Sequence, residues 1–197
     1  QSATSTPQGS PVEGMGGATL ADFRPDVSMA DLLAHVIDRL EPQVERVLIS
    51  ANGDAARFAR FGYPVVADDS PQGPLSGVLA ALTAAAGMGA THLVSSPVDT
   101  PFLPGDLVPQ LLLAGEGSPE GLALASDATG DHPATALWPV ALAPALTAFL
   151  ATGGAKVTRF TAAHHAARAQ FPDPRAFLNL NTPEDLAAAE ALLRGAA

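Results

Sequence analysis

The chain has 197 residues, enough for one domain with a tail, and 47% of them are hydrophobic, enough for a full core. Its formal net charge is −10 and no basic run occurs, which excludes the clustered Lys and Arg that non-specific nucleic-acid binding requires. No cysteine is present, so disulfides and thiolate metal sites are excluded, and no apolar run is long enough to span a bilayer.

Residues 1–28 are rich in Ser, Thr, Pro and Gly without apolar periodicity, and read as a flexible segment ahead of a single domain over 29–197. They lack a basic-then-apolar leader pattern, and with the missing cysteines this gives the expectation of a cytoplasmic protein with no membrane or nucleic-acid partner. Leu32, Leu33, Val36, Ile37 and Leu40 fall at helical spacing over 29–40, and Pro42 closes that helix. The β-branched run 44–50 predicts a strand, with Ala51-Asn52-Gly53-Asp54 as the turn at its carboxyl end. A short helix follows over 55–61, then a strand over 63–67 that ends in Asp68-Asp69. The loop Pro71-Gln72-Gly73-Pro74-Leu75-Ser76-Gly77 opens onto a helix predicted over 78–86. His92-Leu93-Val94-Ser95 reads as a buried strand and leads into Ser96-Pro97-Val98-Asp99-Thr100-Pro101. Helices are predicted over 106–114, 142–151 and 157–163. Strands are predicted over 122–126, 134–138 and 165–171, the first two joined by Asp127-Ala128-Thr129-Gly130-Asp131 as a hairpin link. Thr182 caps a last helix, with Pro183 at its first position and Glu184 and Asp185 in its first turn.

Strands alternating with helices imply right-handed crossovers and a three-layer α/β/α fold around a mostly parallel sheet. Strand-end turns in such a sheet share one rim, where open α/β sheets bind ligands. Asn52, Asp68, Gly73, Gly77 and Asp99 are therefore expected at a common crevice. Asp99 follows a buried strand, so its carboxylate needs a cation, a donor or water, and a magnesium–nucleotide answers that need. Asn52 and Asp68 could bond a base or ribose, or could serve the turns alone. Gly73 and Gly77 let a ligand approach the backbone, or merely permit a tight turn. His132 in Asp131-His132-Pro133 is a candidate for a substrate phosphate or pterin. Asn179 and Asn181 alternate with Leu180 ahead of the last helix and are candidates for the active site or for the cap alone. His164-His165 lacks carboxylate neighbours at ligand spacing and reads as non-catalytic.

Taken together, Val47-Leu48-Ile49-Ser50-Ala51-Asn52, Asp68 after its strand, Gly73-Pro74-Leu75-Ser76-Gly77, Val98-Asp99-Thr100-Pro101, Asp131-His132-Pro133-Ala134-Thr135 and Asn179-Leu180-Asn181-Thr182-Pro183-Glu184-Asp185-Leu186 resemble the molybdenum cofactor guanylyltransferases, the MobA-type nucleotidyltransferases, over about 30–193. The resemblance implies a Rossmannoid, GT-A-like fold. It also implies transfer of GMP from GTP to molybdenum-bound molybdopterin with release of pyrophosphate. Asn52, Asp68, Gly73 and Gly77 would bind the nucleotide and Asp99 would hold Mg²⁺ and act in catalysis. His132, Asn179 and Asn181 would meet the acceptor. Transient contact with molybdopterin-transfer proteins or target molybdoenzymes would follow.

The likeness breaks at the amino terminus. The family opens with Leu-Ala-Gly-Gly, then Arg-Met-Gly-Gly, then a Lys, a loop that wraps the triphosphate. Here Met15-Gly16-Gly17 survives, but Gly14 stands in the Arg place and Ala18-Thr19-Leu20 in the Lys place, and Arg24 is the only cation before the first helix. Three readings follow: a degenerate homologue that binds nucleotide or cofactor without catalysis, substitution by Arg24, or a segment altered by a frame shift. A nucleotidyltransferase for another acceptor, of cytidylyl or sugar-phosphate type, is the further alternative.

Overall fold

The structure, a computed structural model, describes residues 29–68, 73–180 and Asp185. Helix α1 spans Met29–Leu40 and a 3-10 turn follows at Glu41–Gln43. The short parallel strands β1 (Ile49–Ser50) and β2 (Val65–Val66) flank a 3-10 helix, Ala55–Phe61. Then come α2 (Pro74–Gly87), β3 (His92–Ser95), α3 (Leu107–Gly115), β4 (Ala123–Asp127), β5 (Gly130–Pro139), α4 (Ala143–Ala151), α5 (Val157–Ala163) and β6 (Ala167–Gln170).

The larger sheet has the order β3-β5-β4-β6. Strand β5 runs antiparallel to both β3 and β4, and β4 runs parallel to β6. Strands β3, β4 and β6 therefore point one way, and their carboxyl ends share a rim. Successive strand residues face opposite sides of a sheet, and each face here has its own core. Ala123, Ala125, Leu137 and Ala169 pack with Val36 of α1 and with Leu107 and Leu111 of α3. Leu124, Ala136 and Trp138 pack with Leu75 and Leu82 of α2, Leu146 of α4 and Phe160 of α5. Two helical layers thus enclose the sheet, the three-layer arrangement expected. Trp138 is fully buried and gives its indole N–H to Ser95 Oγ at 2.8 Å. No helix among the described residues is long and apolar enough to cross a membrane.

Several boundaries move for local reasons. The strand expected over 44–50 shrinks to Ile49–Ser50. Its parallel ladder begins with the Ile49 amide on the Pro64 carbonyl, and Pro64 has no N–H to extend the pairing. Helix α2 starts four residues earlier than expected, at Pro74, whose missing N–H and fixed φ suit a first helical position. Gly73 is its N-cap at φ 109°, so Gly77 belongs to the helix and not to the loop. Strand β5 is longer than expected, and its register against β4 jumps from Leu124↔Ala136 to Ala125↔His132, so 133–135 form a bulge. The helix capped by Thr182, the amino-terminal loop residues and Asn181 lie outside the described residues, save Asp185, which is helical.

Candidate active site

The carboxyl ends of β1 and β2 hold the first group of predicted residues. Parallel pairing sets Asn52 beside Asp68, and the Asp68 backbone N–H donates to Asn52 Oδ1 at 3.0 Å. With its oxygen so engaged, the Asn52 amide presents its NH₂. Arg57 steadies the turn by donating to the Asn52 carbonyl at 2.8 Å. Asp68 Oδ2 accepts the Ser76 hydroxyl at 2.9 Å, and that hydroxyl also lies 2.7 Å from the Gly73 carbonyl. Asp68 Oδ1 is buried without a hydrogen-bond partner. Gly77 completes the group by close approach: a Cβ there would sit 3.0 Å from Ser50 Oγ. Four of the predicted residues, Asn52, Asp68, Gly73 and Gly77, are thus joined through contacts at the start of α2. Sequence reasoning missed Ser76, although it lies inside the quoted loop; a hydroxyl one residue before the second glycine was the available signal.

Asp99 belongs to a second group. It follows β3, which packs against α2, and the Thr100 hydroxyl secures the turn by donating to the Pro97 carbonyl at 3.0 Å. The Asp99 carbonyl accepts the Leu180 N–H at 2.8 Å, while its side-chain Oδ1 is buried without a partner. A buried carboxylate oxygen left unpaired is costly, so the site suits a cation or a donor. Among the described residues no three His, Cys, Asp or Glu side chains group to hold an ion. Mg²⁺ needs no such cage, since it takes one or two carboxylates and fills its shell with phosphate and water. The structure does not join Asp99 directly to Asn52 or Asp68. The link between the two groups is α2, which touches β1, β2 and β3.

His132 and Asn179 fall with Asp99. Leu180 is buried where its amide meets Asp99, and Asn179 beside it is exposed. His132 stacks on Phe177 with centroids 4.5 Å apart and planes at 24°. Its Nε2 lies 2.8 Å from Oδ2 of Asp127, a side chain with no exposure. Asp127 Oδ1 accepts the Thr129 amide and hydroxyl, each at 2.6 Å, and the Gly130 amide at 3.2 Å. Burial pushes the Asp127 carboxyl up, but the Thr129 and His132 hydrogen bonds outweigh it and hold the group below its ordinary 3.8. Sequence pattern marks Asp127 only as hairpin punctuation; the contact with His132 gives it a second part. Asp131 nearby is held low chiefly by Arg168, which grips it with Nε at 2.8 Å and Nη2 at 2.9 Å. Elsewhere, His164 does have a carboxylate neighbour: its Nδ1 is 2.6 Å from Glu120 Oε2, a partner 44 residues away that sequence spacing could not reveal.

Comparison with known proteins places this geometry. The family model of the MobA-like NTP transferase domain matches residues 26–169. A molybdenum cofactor guanylyltransferase of Cereibacter sphaeroides is 61% identical over 180 residues, covering 91% of each chain. The share left uncovered is shorter than residues 1–28, so that alignment reaches into the amino-terminal segment. Among solved structures, the molybdopterin-guanine dinucleotide biosynthesis protein A of Archaeoglobus fulgidus superposes with a TM-score of 0.60 at 19% identity, over 83% of this chain and 86% of that one. The 2-C-methyl-D-erythritol 4-phosphate cytidylyltransferase of Thermus thermophilus gives 0.56 at 19% identity, over 83% and 89%. At such identities the two structures speak for the fold alone.

Proposed function

The chain belongs to the MobA-like NTP transferase family, and on that premise we propose that it transfers GMP from GTP to molybdenum-bound molybdopterin, giving the guanine dinucleotide cofactor and pyrophosphate. The observation that carries the choice of GTP is the Asn52–Asp68–Ser76 hydrogen-bonded series with its unpaired Asp68 Oδ1. Guanine offers two adjacent donors, N1–H and the 2-amino group, beside the O6 acceptor. A carboxylate oxygen next to an amide NH₂ complements that edge, and cytosine presents a single amino donor beside two acceptors. Ser76 fixes the carboxylate rotamer and Gly77 lets α2 approach Ser50 of β1 closely, and Gly73 and Gly77 at the start of α2 would line the nucleoside.

The reaction is an in-line displacement. A phosphate oxygen of molybdopterin attacks the α-phosphorus of GTP, and the bond to the β-phosphate oxygen breaks as pyrophosphate departs with the electron pair. The protein forms no covalent bond, so its task is alignment and neutralisation. Asp99 would hold Mg²⁺ through its unpaired Oδ1, and the bound ion supplies charge that offsets the α-phosphate and the leaving group. His132, Asn179 and Asn181 would receive the acceptor. The setting we propose is the cytoplasm, with transient docking to molybdopterin-transfer proteins or to the molybdoenzymes that take the product.

Calorimetric titration with GTP and CTP in magnesium buffer tests the nucleotide. GTP should bind, CTP should bind at least tenfold more weakly, and Asp68→Asn should erase most of that preference, since one bidentate base contact is worth about 1–3 kcal/mol. CTP binding as tight as GTP would overturn the base assignment. Pyrophosphate release in the presence of molybdenum-molybdopterin tests the chemistry. Nucleotide binding without release would identify a non-catalytic homologue.

A further inference from the structure

We infer that Asp127 is a positioning residue that presents His132 to the phosphate of the acceptor. The inference rests on the guanylyl-transfer reading above and adds to it a residue that acts through another.

Topology brings the pair to the site. Asp127 ends β4 and Asp99 follows β3, and these two strands run the same way. His132 lies near the start of the antiparallel strand between them, so it occupies the same rim. The β5 bulge begins at the next residue, Pro133, which has no N–H for the ladder, and the register jump re-aims the strand there. The segment that stacks on His132 through Phe177 continues to Leu180, whose amide holds the Asp99 carbonyl.

The two oxygens of Asp127 divide the work. Oδ1 collects the three hydrogen bonds of the 127–130 turn, and Oδ2 takes only His132 Nε2. The carboxylate has no exposure, while the imidazole is 24% exposed. Solvent and ligand therefore meet the ring and not the acid. Asp127 orients the ring about one nitrogen and Phe177 fixes its plane, so two independent contacts set where the other nitrogen points. Nδ1 makes no hydrogen bond within the described residues. With a proton on each nitrogen, one N–H serves Asp127 and the other donates to a phosphate oxygen, the charge-assisted pairing that a terminal phosphate favours.

The test measures molybdopterin binding to the full chain by pterin fluorescence, with GTP binding by calorimetry and pyrophosphate release on the same preparations. Asp127→Asn keeps an oxygen for the turn but removes the acceptor from Nε2–H. His132→Gln removes the ring. Thr129→Val loosens the turn and leaves Oδ2 and His132 alone. Both Asp127→Asn and His132→Gln should weaken molybdopterin roughly tenfold, and the double variant should be no weaker than His132→Gln, as expected for residues acting as one unit. Thr129→Val should stay within about twofold, and GTP affinity should hold in all variants. Wild-type molybdopterin affinity in Asp127→Asn, or an equal loss in Thr129→Val, overturns the inference, as does a wild-type protein that binds no molybdopterin. If the variants behave as expected but no pyrophosphate appears, the dyad stands and the transfer reaction falls. If pyrophosphate is released and Asp127→Asn binds molybdopterin normally, the reaction stands and the dyad falls.

Discussion

Replacing Asp99 by Asn should make the protein more stable and far less active, and the two effects have one cause. Oδ1 of Asp99 is buried without a partner. An unpaired buried polar group costs about 1–3 kcal/mol, more when charged. Only one of the two oxygens is so placed, which puts the gain on neutralising it near the low end, about 1 kcal/mol. For a chain of this size that is a rise in Tm of about 2–4 °C in magnesium-free buffer. The single tryptophan, Trp138, is fully buried, so its fluorescence reports the transition. Adding Mg²⁺ with GTP should raise the wild-type Tm and leave Asp99→Asn nearly unmoved. Pyrophosphate release should fall at least hundredfold, the scale of losing about 3 kcal/mol of charge stabilisation. A variant that melts lower than wild type without magnesium would refute the claim that this oxygen lacks a partner. Unchanged turnover would remove Asp99 from the chemistry.

Other substitutions probe the scaffold. Gly77→Ala introduces a Cβ 3.0 Å from Ser50 Oγ, so it should gain stability by about 0.5–1 kcal/mol only in a Ser50→Ala background, and urea melts of the four-member cycle that prove additive would deny the contact. Gly154→Ala drives a Cβ into the Phe149 ring and should cost about 1–3 kcal/mol, checked by thermal melting, with partial recovery when Phe149 is shortened to Leu. Asp127, Asp131 and Asp173 are all held below 3.8 in the folded protein. The unfolded chain therefore takes up their protons first as pH falls, so the stability they lend is full well above 3.8 and is lost as pH falls from there through their lower folded values. A pH series of melts should show this loss, and it should be shallower in Asp131→Asn; because Arg168 is 59% exposed, the difference will be small.

Much of this arrangement was legible from local pattern. Met29–Leu40 and Val157–Ala163 lie where the helical spacing put them, because each carries its apolar face within its own few turns. The strand-end residues Asn52 and Asp68 stood out because turn chemistry marks the end of a strand, and parallel pairing then joins them. What escaped depends on partners distant in sequence or on one atom's surroundings. Pro64 cuts β1 short from the neighbouring strand. Glu120, just ahead of β4, reaches His164, 44 residues further on and just ahead of the parallel strand β6. Asp127 and His132 look unrelated until a tight turn and a bulge fold one over the other. Whether a carboxylate oxygen is left without a donor, as in Asp68 and Asp99, is a fact of three-dimensional packing that no spacing encodes. The resemblance supplied roles for these residues; the contacts supply the reasons such roles are physically open to them.

The bond from the Leu180 amide to the Asp99 carbonyl has a consequence for biogenesis. A nascent polypeptide emerging from the ribosome exposes the loop after β3 long before Leu180 exists to brace it. That loop then has neither its strap nor the stacked rings beside it, and a prematurely terminated product lacks both for good. A chain cut before Phe177 therefore leaves the Asp99 turn without its hydrogen-bonded brace and His132 without its stacking partner.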